Sequence, residues 1–392
     1  SSNLNLHGCR LNISARTRSW FYGVVAGVVT CLALIACAPT TQRVRVSDGA
    51  AEAEARKQRQ IALQAYLEDQ QRLLRVSYPL LTRGSDLCGD DVRYTTGMAL
   101  ANSSTLLTEQ FRETAESVYK LSNAVQVVYV VPGSAADKAG VRTGDTITQI
   151  GSWQVSGNDG EPVKQSLGQI KEQSRNGQAL RVDIQRKAKS SIQAQSLLIT
   201  PDRACSYPVV LGQGDEVNAY ADGNQVVVQR GMMRFANSDT ELGLVISHEI
   251  AHNSMGHMRA KMTNYTLGTI LDIATQLLLK VPTQGLFGSL GGNAFSQGFE
   301  AEADYVGLYI MAQAGGDIDN APQFWRRMAT LSPAAIQSSH TATHPATPER
   351  FVALEETVKE IKAKKAAGQP LIPNLKNAPD LKADPAIAPQ KP

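Results

Sequence analysis

Residues 248–252 read His248-Glu249-Ile250-Ala251-His252 and close a strongly apolar run, Leu242-Gly243-Leu244-Val245-Ile246-Ser247. On a helix, at about 100° per residue, His248 and His252 stand about 40° apart on one face. Two imidazoles one turn apart can both reach a single Zn2+ at about 2.0–2.1 Å. Glu249 stands beside them, placed to take a proton from a metal-bound water. The competing explanation is an amphipathic helix with a polar stripe. With six histidines in the chain, a chance match to three fixed positions is on the order of a few in a thousand.

A catalytic zinc site needs a third protein ligand and an open position. His257 is one candidate, but it lies about 180° round the helix from His248, which suits a supporting or structural histidine better. A longer pattern with glycine at 255 and histidine at 258 fails, because those positions are Met255 and Met258. The better candidate lies in Phe299-Glu300-Ala301-Glu302-Ala303-Asp304. Glu300 and Asp304 are i and i+4 on a second helix and share a face. Glu300 can bind zinc, and Asp304 can accept a hydrogen bond from a ligand histidine and fix its tautomer. Glu302 is expected to point elsewhere, as a solvated or a structural residue.

The order of motifs extends this pattern. Val217-Asn218-Ala219-Tyr220, Val226-Val227-Val228, Arg230-Gly231-Met232-Met233, the HEIAHNSMGH run, EAEAD, Thr343-His344-Pro345 and Glu349-Arg350 follow one another along the chain. In that order the chain resembles the zinc metallopeptidases of the CAAX prenyl protease, HtpX and BepA type, over roughly 205–355 and more weakly over 53–120. The resemblance implies one Zn2+ held by His248, His252 and Glu300, Glu249 as general base, and Asp304 behind the ligands. It implies that Asn218, Ala219 and Tyr220 form a sheet edge to which an extended polypeptide substrate adds as a strand. His344 and Arg350 match the family's distal pair near the site. His344, held stiffly before a proline, would either donate to a developing oxyanion or occupy the open zinc position at rest. Arg350 would hold this segment or add positive charge. The several spanning helices of the family's integral-membrane members are not found, so prenylated substrates are not implied.

The elements that must position these groups follow from the rest of the chain. At 392 residues there is material for two domains. Hydrophobic content of 42% and charged content of 19% are ordinary for a globular protein. A net charge of +3 and no basic run with interleaved aromatics give no reason to expect nucleic acid. Arg16 and Arg18 precede an apolar stretch from Trp20 to Ala36, as in a secretory leader. It ends Leu34-Ile35-Ala36-Cys37, which resembles a bacterial lipobox. That resemblance implies a signal over 1–37, lipid on Cys37, and an outer-membrane anchor facing the periplasm, since Ala38 replaces the aspartate of inner-membrane retention. An uncleaved single-pass anchor is the alternative. Once the leader is removed, Cys88 and Cys205 remain beside Cys37; they form either a disulfide or two buried thiols.

Residues 38–52 read as a tether, and apolar spacing predicts helices over 53–76 and 105–119. A strand-like run over 125–131 is followed by a PGSxAxxAGVxxGD stretch over 132–145. This resembles a PDZ domain of the bacterial periplasmic-protease type, placed at 123–200, with a helix over 163–174 and strands over 180–186 and 196–200. PDZ domains bind peptides by strand addition, but a clear carboxylate loop is missing here, 119–124 being the nearest stretch. A peptide ligand and a purely structural or regulatory insert both stay open. Residues 267–281 with the glycine-rich 285–292 form either a cover over the cleft or a core helix and loop. The tail over 361–392 is rich in Lys, Ala and Pro and is expected to be disordered.

These observations predict an α+β architecture: a mainly helical zincin-type (HExxH) domain in two pieces, 53–122 and 201–360, with a small edge sheet and an inserted β-rich domain. The expected function is a zinc-dependent endopeptidase of the cell envelope, with misfolded or misassembled envelope proteins as substrates by family analogy. The alternative is a latent or chaperone-like binding scaffold lipoprotein.

Overall fold

The computed structural model describes residues 44–189, 191–260, 262, 263, 266, 269, 296–331, 347–374 and 376. The leader with Cys37, most of 267–281, the 285–292 stretch, His344 with its neighbours, and the tail beyond 376 lie outside the described residues. The chain divides into two compact units after Arg56. In the first, the described residues are an exposed lead and the start of helix α1 (Asp48–Arg83), with Arg56 and Glu52 paired at 3.6 Å across one turn. All other described elements belong to the second unit.

Helix α1 is longer than the predicted 53–76, and its extension runs through Pro79. A proline inside a helix costs about 3 kcal/mol. Val76, Leu80 and Leu81 around it are buried in the core, each contributing about 1.5–3 kcal/mol, so packing outweighs the lost hydrogen bond.

Strand β1 (Val92–Thr95) leads into β2 (Met98–Ala101), β3 (Gln126–Val130), β4 (Thr146–Ile150), the short β5 (Trp153–Gln154), helix α2 (Glu161–Gln173), β6 (Leu180–Lys187) and β7 (Ile192–Ile199). Strands β2 to β7 form a six-stranded sheet in the order β2-β3-β4-β6-β7, with β5 on β4. Its core follows the strand period: Leu180, Val182 and Ile184 of β6 turn inward while Arg181 turns out. Strand β8 (Asp202–Cys205) then returns antiparallel to β1, from Val92 opposite Cys205 to Thr95 opposite Asp202. A disulfide joins Cys88 to Cys205, with Cα atoms 5.6 Å apart.

Two expectations change here. The strand beside β3 is Met98–Ala101, preceded by Gly97 at φ 77°, whereas 119–124 is an irregular lead into β3. The helix expected over 105–119 shrinks to Arg112–Ser117 after a 3-10 turn at Glu109–Phe111. The cause is local: Asn102 Oδ1 accepts from the Ser104 N–H at 3.0 Å and Thr105 Oγ1 from the Asn102 N–H at 2.9 Å. Such side-chain bonds divert the backbone from the helix.

The remainder is a three-stranded sheet of β9 (Val209–Leu211), β10 (Ala219–Ala221) and β11 (Val226–Val228), in the order β10-β11-β9. Beside it lie helices α3 (Asp239–Ser254), α4 (Ser296–Gln313), α5 (Ala321–Ala329) and α6 (Pro348–Ala366). Helix α3 packs chiefly on α4 and on β10. No helix among the described residues is long and apolar enough to cross a membrane.

Candidate metal centre

Helix α3 is fixed at its start by charge and capping. Ser238 Oγ accepts from the Glu241 N–H at 3.2 Å, and Glu241 accepts from the Asn237 N–H at 2.7 Å. Asp239 pairs with Arg72 and Arg75, and Glu241 with Arg327. From Leu242 to Asn253 every residue is buried. On α4, Gly307 faces the His248 backbone: a Cβ there would lie 3.0 Å from His248 Cα and N. The missing side chain lets α4 close on α3, and Glu300 and Asp304 lie on the same face of α4.

His248, His252 and Glu300 converge. The two Nε2 atoms are 3.1 Å apart, His252 Nε2 lies 3.2 Å from Glu300 Oε1, and His248 Nε2 lies 3.4 Å from Glu300 Oε2. Tetrahedral Zn2+ bonds of about 2.0–2.1 Å place neighbouring ligands about 3.3 Å apart, so this donor set fits the ion. All three residues are buried, and Glu249 beside His248 is 2% exposed.

The outer nitrogens of both histidines are engaged. His248 Nδ1 lies 3.0 Å from Asp304 Oδ1. His252 Nδ1 lies 2.9 Å from His257 Nδ1, and His257 Nε2 lies 2.9 Å from Glu302 Oε2. Protons on the Nδ1 atoms of His248 and His252 and on His257 Nε2 suit these approaches and would leave both Nε2 lone pairs free for a metal. Of the two roles expected for Glu302 the structural one is seen: half-exposed, it anchors His257, which also stacks on Phe299 at 4.6 Å.

Arg350, near the start of α6, is buried between the carboxylates. Its Nε and Nη2 donate to Asp304 at 2.6 and 2.8 Å, and Nη1 lies 3.2 Å from Glu300 Oε2. Burial pushes the Asp304 carboxyl up, but Arg350 and His248 outweigh it and hold it below its ordinary range. Burial likewise disfavours charge on His248, yet Asp304 and Glu300 bring its pKa up to about 10 without a metal. On His257 burial wins, with His252 adding to it, and the pKa falls despite Glu302. Trp325 of α5 packs tilted against His248 at 5.0 Å and lies under the Arg350 guanidinium at 5.6 Å.

Ala219 and Tyr220 lie in β10, with Ala219 buried and Tyr220 39% exposed, and Asn218 precedes the strand and accepts from the Gln229 N–H at 3.0 Å. Among the described residues β10 is paired on one edge only, with β11. Cys88 and Cys205 sit at the base of the inserted sheet. Sequence reasoning missed Trp325, Gly307 and Asn253. Gly307 carried a signal, a small residue three after Asp304 on the ligand face; Trp325 carried none.

The fold and this centre define a class, and comparison with known proteins names it. The model for Peptidase family M48 matches residues 181–358, and the PDZ domain model matches 126–186. Residues 181–358 thus carry a domain of the peptidase family M48 type, and 126–186 a PDZ domain. It is 30% identical over 138 residues to the beta-barrel assembly-enhancing protease of Yersinia pestis, covering 31% of this chain and 28% of that one. It is 31% identical over 159 residues to the putative beta-barrel assembly-enhancing protease of Vibrio cholerae serotype O1, covering 37% and 33%. It is 31% identical over 144 residues to the metalloprotease LoiP of Escherichia coli, covering 34% and 56%. The matched region thus spans about a third of the length of the first two relatives.

Proposed function

We propose that the chain is a zinc-dependent endopeptidase of the bacterial cell envelope that degrades misfolded or misassembled envelope proteins. The observation that carries this is the buried convergence of His248, His252 and Glu300 at 3.1–3.4 Å beside Glu249. When bound, Zn2+ acidifies a water and polarises the scissile carbonyl. Glu249 takes the water's proton on its carboxylate and returns it to the leaving amine nitrogen. Asp304 and His257 keep the ligand histidines in the tautomer that the centre needs. Trp325 and the buried helices keep bulk water from the ligand side. The substrate lies extended along β10 as an added strand, contacting Asn218, Ala219 and Tyr220.

The envelope assignment rests on the leader-like N-terminus ending in Cys37, on the Cys88–Cys205 disulfide, and on relatives named for β-barrel assembly. Lipid on Cys37 would hold the chain at the outer membrane, facing the periplasm. The PDZ domain would present peptides to the cleft, and His344 would serve as oxyanion donor or resting ligand. The test is metal analysis with a casein cleavage assay on wild type and Glu249→Gln. About one zinc in both, with cleavage only in the wild type, is expected. Zinc without cleavage in either would favour a binding scaffold.

A further inference from the structure

Asn253 follows the ligand His252 on α3 and is 4% exposed. Its side chain does not face the metal ligands. Oδ1 accepts from the Gly223 N–H at 2.8 Å, and Nδ2 donates to the Gln225 carbonyl at 3.0 Å. Those two residues form the turn between β10 and β11. The turn is already tight: Asp222 Oδ1 accepts from the Asn224 and Gln225 N–H groups at 2.8 and 2.9 Å. Gly223 holds φ 95°, and a Cβ there would meet Met258 at 3.7 Å. One amide therefore clips a preformed turn to the helix that carries both histidines. An amide is required, because the two partners are a donor and an acceptor. A carboxylate of the same shape would face the Gln225 carbonyl with no proton to give.

We propose that Asn253 is a positioning residue that sets substrate register: it fixes β10 along its own axis relative to the metal ligands, and so decides which carbonyl of a strand-added polypeptide meets the centre. This rests on the peptidase reading above. Successive residues of a strand advance about 3.3 Å, so a slip well short of one residue takes a carbonyl out of reach. A misplacement of about 1 Å can cost 10²-fold in rate. Helix α3 packs on β10, and the Asn253 side chain adds two hydrogen bonds from that helix to the turn at the end of the strand.

The experiment compares wild type, Asn253→Asp and Asn253→Ser for zinc content, thermal unfolding, and kcat and KM on an unfolded protein such as reduced casein, with cleavage sites mapped by mass spectrometry. The expected result is retained zinc and a retained folding transition, with kcat lowered about tenfold or more, KM changed far less, and cuts spread to bonds neighbouring the wild-type sites. Wild-type sites and rates in both zinc-loaded variants would overturn the proposal. Loss of fold or of zinc in both would overturn it too, by making Asn253 a structural residue. Zinc-loaded wild type that cleaves nothing would instead defeat the peptidase reading, and this proposal with it.

Discussion

Arg350 grips Asp304 through two hydrogen bonds, 2.6 Å from Nε and 2.8 Å from Nη2, while its third nitrogen lies 3.2 Å from Glu300. One buried cation thus faces two buried carboxylates, one that could hold metal and one that lies 3.0 Å from His248 Nδ1. Removing a single partner from such a group leaves uncompensated charge, which costs about 3–5 kcal/mol. Arg350→Leu should lower stability by about that amount in chelated protein. Zinc should restore part of the loss, because it supplies positive charge at the same carboxylates. Denaturant melts with and without chelator check this; equal losses in both would contradict it.

Gly307 predicts a steric effect on the metal. Gly307→Val must push α4 off the His248 backbone, where even a Cβ would sit 3.0 Å away. Overpacking of this kind costs about 1–3 kcal/mol. Zinc affinity, read by competition with a chromogenic chelator, should fall well before the fold is lost.

The His257–Glu302 pair should tune His252 without replacing it. His257→Ala leaves the ligand count intact, and the expected drop in zinc affinity is about 10–100-fold. His252→Ala should abolish stoichiometric binding. Equal effects of the two changes would make His257 a ligand, against its 2.9 Å contact with the outer nitrogen of His252.

The Cys88–Cys205 bridge closes a loop with a sequence separation of 117. Loops of this size gain most from closure, and loss of a native bridge costs about 2–5 kcal/mol. The Cys88→Ser, Cys205→Ser double variant should melt at lower denaturant and be insensitive to reductant. An unchanged midpoint would show that the denatured chain is already compact there.

What could be read from the sequence was whatever is encoded locally. The His248 and His252 pair and the Glu300 and Asp304 pair each follow from helical spacing, and the runs now seen as β3, β6 and β7 follow from strand patterning. Contacts between distant segments were not legible. Glu302 meets His257 across 45 residues, and that partner cannot be inferred from one helix. Met98–Ala101 is too short and too weakly patterned to announce a strand; its place is set by β3. Helix α1 outruns its expected end because tertiary burial overrides the proline.

The β1–β8 ribbon makes the inserted sheet exchangeable. Its two chain crossings lie opposite each other, Thr95 across from Asp202, so a replacement cassette needs only ends about 5 Å apart. A graft would have to keep the face seen by α1, where Tyr78 donates to Asp202 at 2.5 Å and Leu63 joins the small cluster with Ala101 and Leu121. Within that restriction, the inserted domain can be replaced as a unit while the helices that carry His248, His252 and Glu300 stay untouched.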